Sequence, residues 1–277
     1  MSIKLMYITN DPRVAVIAEN AGVDRIFVDM EYIGKDKRQG GMDSVKNHHT
    51  YEDIRQIKKA IKKAELLVRC NPIHQEAVDY CSSREEIDKI IESGADIVML
   101  PYFETVEEVK TFIEIVNKRV RAMLLFETPR AREIANEIME LPGIDEAFIG
   151  LNDMSLGYHY KFMFAPLANG IVDELCGKFK KKGVSYGFGG LASLDGGLLP
   201  GKNVLMEHYR LGSSCVILSR SFCNTSVITD LNDIEKVFNE GIAKIRAFEA
   251  NITAECSLEE NRQRVIQIVN QRLKEMN

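Results

Sequence analysis

The sequence predicts an α/β fold in which eight parallel strands close into a barrel, and three observations carry the prediction. The first is a repeated grammar. "NAGVDRIFVDME" (20–31), "ESGADIVMLPY" (92–102) and "LPGIDEAFIGLND" (141–153) each pass from a helix end through a glycine and an aspartate into an apolar run. Gly22, Gly94 and Gly143 stand where a left-handed residue closes a helix. The second is the continuous apolar character of those runs, which suits parallel strands buried on both faces. The third is their number: strands are expected at about 3–8, 25–31, 65–70, 96–101, 121–127, 146–150, 184–188 and 215–219, most of them separated by helical patterns. Eight βα units in 277 residues fit a single TIM (β/α)8 barrel spanning 1–277. A doubly wound open sheet is the alternative. The lack of a dinucleotide glycine fingerprint after the first strand counts against it.

Taken in order, the second strand ends in Asp29 and Glu31, with Tyr32 next. The stretch that follows, "IGKDKRQGGMDSVKNHHTYED", carries Lys35, Lys37 and Arg38 before Gly40-Gly41. It reads either as a solvated connection or as a lid whose basic residues meet an anionic substrate. Adjacent His48 and His49 point in different directions in most backbones, so no metal site is expected there. A substitute acid–base role for one of them is left open. The third strand ends in Arg69 and Asn71-Pro72. "SREEIDKIIESG" places Ile87, Ile90 and Ile91 on one helix face, and "TVEEVKTFIEIV" repeats the habit. The fourth strand ends in Pro101-Tyr102. The fifth, "RAMLLFE", ends in Glu127 and meets the helix-opening pair Thr128-Pro129. The sixth ends in Asn152-Asp153. After the seventh, "GFGGLASLDGGLLPG" (187–201) lacks phosphate-loop spacing and is expected to be a flexible active-site loop, with Gly189 and Gly190 letting a substrate approach the backbone. "YKFMFAP" (160–166) reads as core or interface.

Beyond the eighth strand, residues 229–277 are expected to form an extra C-terminal helical segment. Ser257 and Glu260 have capping-box spacing, and Val265, Ile266, Ile268, Val269 and Leu273 form an apolar stripe. That stripe must cover the barrel wall or a neighbouring subunit. The subunit is favoured, and with it a homo-oligomer.

The bulk numbers bound the class. The chain is 45% hydrophobic and 28% charged, an ordinary globular balance. Its net charge of −5 recruits neither nucleic acid nor an anionic membrane. Its six cysteines include no CxxC pair, which suits reduced thiols and a cytoplasmic location. The first residues do not form a signal peptide, and no span has the length of a membrane helix.

In such a barrel the chemistry sits at the C-terminal ends of the strands. Glu127 and Asp153 close neighbouring strands, which lie about 4.8 Å apart. Two carboxylates held that close repel unless a cation lies between them or one is protonated. A hard divalent ion such as Mg²⁺ or Mn²⁺, completed by water and substrate oxygens, answers that arrangement. Arg69 offers a planar fork to a carboxylate or an enolate oxygen. Each residue alone has a bland reading: Glu127 as a solvated cap, Asp153 as a turn opener, Arg69 as a structural ion-pair partner. The joint pattern says more than any member.

At these residues the sequence resembles the HpcH/HpaI aldolase and citrate lyase family over most of its length. "TNDPRVAVIAENAGVDRIFVDME" looks like the family's first helix and second strand, "LLVRCNP" like its third-strand segment, and "ADIVMLPYFETVEEV" like its fourth. "LLFETPRAREIANEIMELPGIDEAFIGLNDMSLGY" is similar to its Ile-Glu-Thr and Gly-Pro-x-Asp-Leu-Ser motifs, correctly spaced. The resemblance implies a barrel of the phosphoenolpyruvate/pyruvate superfamily type, with Glu127 and Asp153 as ligands of Mg²⁺, Mn²⁺ or a similar ion. It implies Arg69 as the residue that steadies a pyruvate enolate, and oligomers in which the C-terminal helix commonly packs across subunits. Asp29 and Tyr32 join Arg69 as catalytic candidates. Glu31, Leu151 and Asn152 join it as substrate-binding candidates, backbone N–H groups near Leu151-Asn152-Asp153 being placed to hold a carboxylate. Three positions depart from the family pattern. Tyr32 stands where a catalytic histidine is common, Leu125 where a glutamine is frequent, and Leu151 where a proline is frequent. A phenol with an ordinary pKa of about 10 is a poor base near neutrality.

The expected activity is therefore a metal-dependent carbon–carbon lyase joining or splitting a 2-oxo acid, pyruvate first, and an aldehyde. A CoA-thioester lyase of citryl or malyl type and a non-catalytic barrel that binds carboxylates or sugars are the alternatives.

Overall fold

The computed structural model describes residues 2–34, 49–252 and 258–276. Eight parallel strands follow one another in sequence order around a closed barrel: β1 (Lys4–Ile8), β2 (Arg25–Asp29), β3 (Glu65–Arg69), β4 (Ile97–Leu100), β5 (Arg121–Phe126), β6 (Glu146–Ile149), β7 (Ser185–Leu191) and β8 (Cys215–Leu218). β8 returns to pair with β1, Leu5 opposite Val216 and Tyr7 opposite Leu218. All eight strands lie where the apolar runs place them.

Local signals fix the connections. Gly22 and Gly94 close helices with φ of 105° and 110°, as their position predicts. Thr50 and Thr105 open α2 (Tyr51–Ala60) and α4 (Val106–Val116) with full capping boxes to Asp53 and Glu108. The other helices on this side of the chain are α1 (Pro12–Ala21) and α3 (Ser83–Glu92). Thr128 caps α5 (Pro129–Glu133), its Oγ1 accepting the Ala131 N–H at 2.9 Å. α6 (Ala135–Glu140) leads into β6, and α7 (Leu151–Gly157) follows it.

The pleat divides the core into two layers. On β5, Met123 and Leu125 point into the barrel with Met6, Phe27, Leu67, Met99 and Phe148. Leu124 and Phe126 point out under the helices. The lower end of the barrel is closed by charge. Arg25, 1% exposed, grips Glu146 through Nη1 and Nη2 at 2.6 and 2.8 Å and Glu65 through Nε at 2.7 Å. Burial opposes that charge, but Glu146 and Glu65 more than offset it and hold the guanidinium protonated.

Two expectations change. The glycine-rich segment 187–201 begins as strand, since β7 continues to Leu191 with a register irregularity between Gly187 and Gly190. A Cβ on Gly187 would stand 2.2 Å from the Cys215 carbonyl oxygen, so that glycine serves strand packing. The C-terminal stripe is also already covered. After α8 (Ala165–Ala168), α9 (Ile171–Lys182), α10 (Gly201–Leu211) and α11 (Leu231–Ala250), the last helix α12 (Leu258–Glu275) lies on α10 and α8 of its own barrel. Val265 and Val269 are fully buried there, and Ile268 and Leu273 pack on the same core. Buried Asn261 fastens the contact, exchanging bonds of 2.7 and 3.0 Å with Asn203 and donating to Glu207 at 2.9 Å. The stripe therefore covers the barrel wall, and a neighbouring subunit is not needed to bury it. Ser257, the expected cap, lies outside the described residues, as do Lys35, Lys37, Arg38, Gly40-Gly41 and His48.

Candidate active site

Glu127 leaves the end of β5 with 3% of its surface exposed. Thr128 and Pro129 start a helix at once, so the acid is pinned at the junction. The Tyr102 N–H donates to its Oε1 at 3.0 Å. Tyr102 holds φ at +47°, uncommon for a bulky side chain, to present that N–H. Gly150 lies against the same carboxylate: a Cβ there would come within 2.8 Å of both Cβ and Oε2 of Glu127. Asp153 is not at a strand end. β6 stops at Ile149, Gly150 is the N-cap, and Leu151, Asn152 and Asp153 form the first turn of α7. The helix nonetheless turns Asp153 inward, and it lines one chamber of about 190 Å³ with Glu127, Arg69, Gly150, Leu151, Asn152, Gly189 and Gly190. Phe27, Met99, Leu125 and Phe148 form the apolar floor of that chamber. Gly189, at φ +56°, has no room for a Cβ, which would sit 2.7 Å from Leu151 Cδ1.

Arg69 ends β3 and is held as a fork. Its Nε donates to Asp29 Oδ1 at 2.8 Å, its Nη2 to Asp29 Oδ2 at 2.7 Å, and its Nη1 stands 3.3 Å from Glu31 Oε2. Burial opposes its charge, yet Asp29, Glu31 and Glu127 keep its pKa well above the ordinary value. Three of its five N–H groups face these two acids, which leaves two for the chamber. Glu31, 2% exposed, sits behind Arg69 and lines none of the cavities at this mouth. Its carboxylate faces the Arg69 guanidinium, which it helps to position.

Tyr32 is drawn away from this group. Its N–H and that of Ile33 both donate to Asn71 Oδ1 at 2.9 Å. Its ring lines a separate cavity of about 210 Å³ with Tyr51, His74, Tyr80 and Glu86. Burial, then the Glu86 charge, raises its hydroxyl pKa further, so it is less able still to act as a base.

Sequence reasoning left His49 undecided, and the structure brings it to the site. The Asp29 backbone N–H donates to His49 Nδ1 at 3.0 Å. The ring lines both the Tyr32 cavity and a polar cavity of about 460 Å³ that shares Arg69, Asn152 and Asp153 with the inner chamber. One signal could have found it. The Thr50…Asp53 capping box fixes where α2 begins, which puts residue 49 at the helix entrance on the barrel mouth. The polar cavity is otherwise walled by the ends of β1 and β8, including Thr9, Asn10, Arg220 and Asn224. No run of acids or glycines marks these residues in the sequence.

Among the described residues no group of three or more His, Cys, Asp or Glu gathers to hold a metal. The residues do fit a hard cation in a two-carboxylate form. Glu127 and Asp153 face one small chamber, all four donors are oxygens, and the missing Cβ of Gly150 keeps space beside Glu127. Among the described residues no helix is long and apolar enough to cross a membrane.

The model of the HpcH/HpaI aldolase/citrate lyase family matches residues 4–167. No curated protein matches the chain in sequence. Among solved structures, an HpcH/HpaI aldolase/citrate lyase family protein from Burkholderia cenocepacia superposes with a TM-score of 0.62 at 15% identity, covering 84% of this chain and 94% of that one. An HpcH/HpaI aldolase from Desulfitobacterium hafniense gives 0.60 at 15%, covering 88% and 93%. The citrate lyase beta subunit from M. tuberculosis, complexed with oxaloacetate and magnesium, gives 0.58 at 13%, covering 86% and 97%. At such identities the superpositions speak to the fold.

Proposed function

The chain belongs to the HpcH/HpaI aldolase/citrate lyase family, and from that premise we propose that it is a divalent-metal-dependent carbon–carbon lyase, an aldolase acting on pyruvate or a similar 2-oxo acid and an aldehyde. The observation that carries this reading is the single chamber shared by Glu127, Asp153 and the fork of Arg69. Its volume, about 190 Å³, suits a three- or four-carbon oxo acid. The M. tuberculosis relative is described with oxaloacetate and magnesium, a 2-oxo acid and a hard ion of the kind proposed here.

Held by Glu127 and Asp153, Mg²⁺, Mn²⁺ or another divalent ion would supply Lewis acidity toward the carboxylate and keto oxygens of the oxo acid. The chain's own groups do the rest. Arg69 directs its remaining N–H groups at the oxygen on which enolate charge grows, in a site where Asp29 and Glu31 keep the fork from turning. Phe27, Met99, Leu125 and Phe148 form the apolar floor under the methyl group. First-turn residues Leu151 and Asn152 border the carboxylate end. His49 takes the place of the histidine that Tyr32 displaces. Its Nε2–H donates to the aldehyde oxygen, water at the chamber mouth takes the methyl proton, the new C–C bond forms to the aldehyde carbon, and that water returns the proton to the aldehyde oxygen. The five described cysteines are all free, in keeping with a reducing cytoplasm. A homo-oligomer remains part of the proposal.

A CoA-thioester lyase is the second reading. A further cavity of about 400 Å³ beside Asn152, walled by Met163, Phe164, Leu198, Leu199 and Arg220, has room for the pantetheine arm of such a thioester. Pyruvate methyl exchange in D₂O, followed by NMR with Mn²⁺ or with EDTA, tests the proposal without a guess at the aldehyde. Metal-dependent loss of the methyl signal is expected. Bound pyruvate that never exchanges would leave a binding protein, and competition by free CoA would favour the thioester reading.

A further inference from the structure

The cavity that Tyr32 lines takes no part in the proposed reaction. Its volume of about 210 Å³ is close to the 190 Å³ of the inner chamber, so it has room for a molecule of a few carbons. Three phenols line it: Tyr32 from beyond β2, Tyr51 from the first turn of α2, and Tyr80 from the connection between β3 and α3. Cys81 and the α3 carboxylate of Glu86 complete that wall. Among the described residues no lysine or arginine lines the cavity.

Glu86 carries the argument furthest. It is 3% exposed, and its Oε1 accepts the backbone N–H and the side-chain amide of Asn71 at 3.0 and 2.9 Å. Its Oε2 is buried without a hydrogen-bond partner. His74 Nε2 stands 3.7 Å from that oxygen but is engaged at 2.8 Å with the Cys81 carbonyl. A buried carboxylate oxygen with no donor is costly until a donor or a cation reaches it. The field around it has one sign. After burial, the Glu86 charge is the largest influence raising the hydroxyl pKa of both Tyr32 and Tyr51, and Cys81 acts in the same direction. Aromatic faces add to that field, because the ring quadrupole is negative over the face. Tyr51 already has one cation near its ring, Lys89 Nζ at 5.8 Å from the centroid.

We infer that this cavity is a binding site for a small organic ammonium ion, whose charge lies among Tyr32, Tyr51 and Tyr80 and is balanced by Glu86. His49 walls both this cavity and the polar cavity at the barrel mouth, so the occupant lies beside the proposed reaction without entering it. The site stands whether or not the barrel is an aldolase.

The test titrates two ammonium ions and their neutral counterparts into the full chain by calorimetry at constant ionic strength: choline against 3,3-dimethylbutan-1-ol, and butylammonium against butan-1-ol. At least one ammonium ion should bind about tenfold or more tightly than its counterpart, the scale of a desolvated cation over aromatic faces. The tighter of the two identifies a quaternary or a primary ion. Glu86→Gln keeps Oε1 for Asn71 and removes the charge. It should weaken that ion about tenfold or more and leave the neutral alcohol little changed, which a merely structural role would not do. Tyr32→Leu, at a partly exposed position, should weaken the ion about threefold or more, and Tyr32→Phe, which keeps the ring, should restore most of the loss. Alcohols that bind as well as the ions, no binding by either ion, or full ion affinity in Glu86→Gln or Tyr32→Leu overturns the inference.

Discussion

His49 is tied to Asp29 by a bond that fixes its chemistry: the Asp29 backbone N–H donates to His49 Nδ1 at 3.0 Å. A backbone N–H can only donate, so Nδ1 accepts and the proton of the neutral ring rests on Nε2. The same Asp29 grips Arg69 with its side chain. One residue thereby sets both the proton carrier and the cation of the proposed site. His49→Gln is expected to slow condensation of pyruvate with an aldehyde by on the order of 10²-fold or more, with methyl exchange and Mn²⁺ affinity little changed. Tyr32→Phe is expected to alter condensation by less than about threefold, because Tyr32 lines another cavity. The reverse ranking in the condensation assay would return the catalytic role to Tyr32.

Glu127→Gln and Asp153→Asn should each lower Mn²⁺ affinity at least about tenfold, since each removes half the charge that two carboxylates offer a hard ion. The helices and strands around both residues rest on other contacts, so far-ultraviolet circular dichroism should be unchanged. Titration calorimetry decides the matter. Wild-type affinity in both variants means the ion, if bound, is held elsewhere.

Gly150→Ala probes the same site by crowding it. The added Cβ would lie 2.8 Å from Glu127 Oε2 and from Glu127 Cβ, so the carboxylate must move away from its bond with the Tyr102 N–H. The expected result is weakened Mn²⁺ binding with a stability loss of about 1–3 kcal/mol, the usual scale of overpacking. Unaltered metal affinity would show that the position of Glu127 is not what the site depends on.

Part of this site was legible in the sequence and part was not, for physical reasons. Glu127 and Arg69 stand out because an acid or a cation ending an apolar run breaks the pattern of a buried strand. Asp153 stands out by its motif, although the helix that carries it begins earlier than the strand pattern implies. Glu31 looks equivalent to Asp29 along the chain. Only the geometry at Arg69 assigns one to the cavity and the other behind it. His49 reaches the site from beyond a long connection, and the capping box of Thr50 and Asp53 is the sequence signal that marks its return. Asn71 holds the Tyr32 backbone, and Tyr32 lines the cavity of Tyr51 and Glu86, not the chamber of Glu127.

His208 offers a test of stability instead of catalysis. It is fully buried, stacked on Phe188 with centroids 3.7 Å apart, and its Nδ1 lies 2.8 Å from Ser213 Oγ. Its Nε2 is buried without a hydrogen-bond partner. Burial pushes its pKa from 6.5 down to about 3. In the unfolded chain the imidazole takes up a proton as pH falls below 6.5, while in the folded protein it stays neutral. The unfolded state binds more protons across that window, so stability is complete above about pH 6.5 and falls by about 1.4 kcal/mol per pH unit toward pH 3. His208→Phe keeps the stack and cannot titrate. At pH 7.5 it should be less stable than wild type by about 1 kcal/mol, from the lost bond to Ser213. At pH 5 that deficit should close or reverse, because about 2 kcal/mol of wild-type stability has gone by then. Urea midpoints at the two pH values measure the difference directly. A deficit that is the same at both would mean that His208 either protonates within the fold or is relieved by water reaching Nε2.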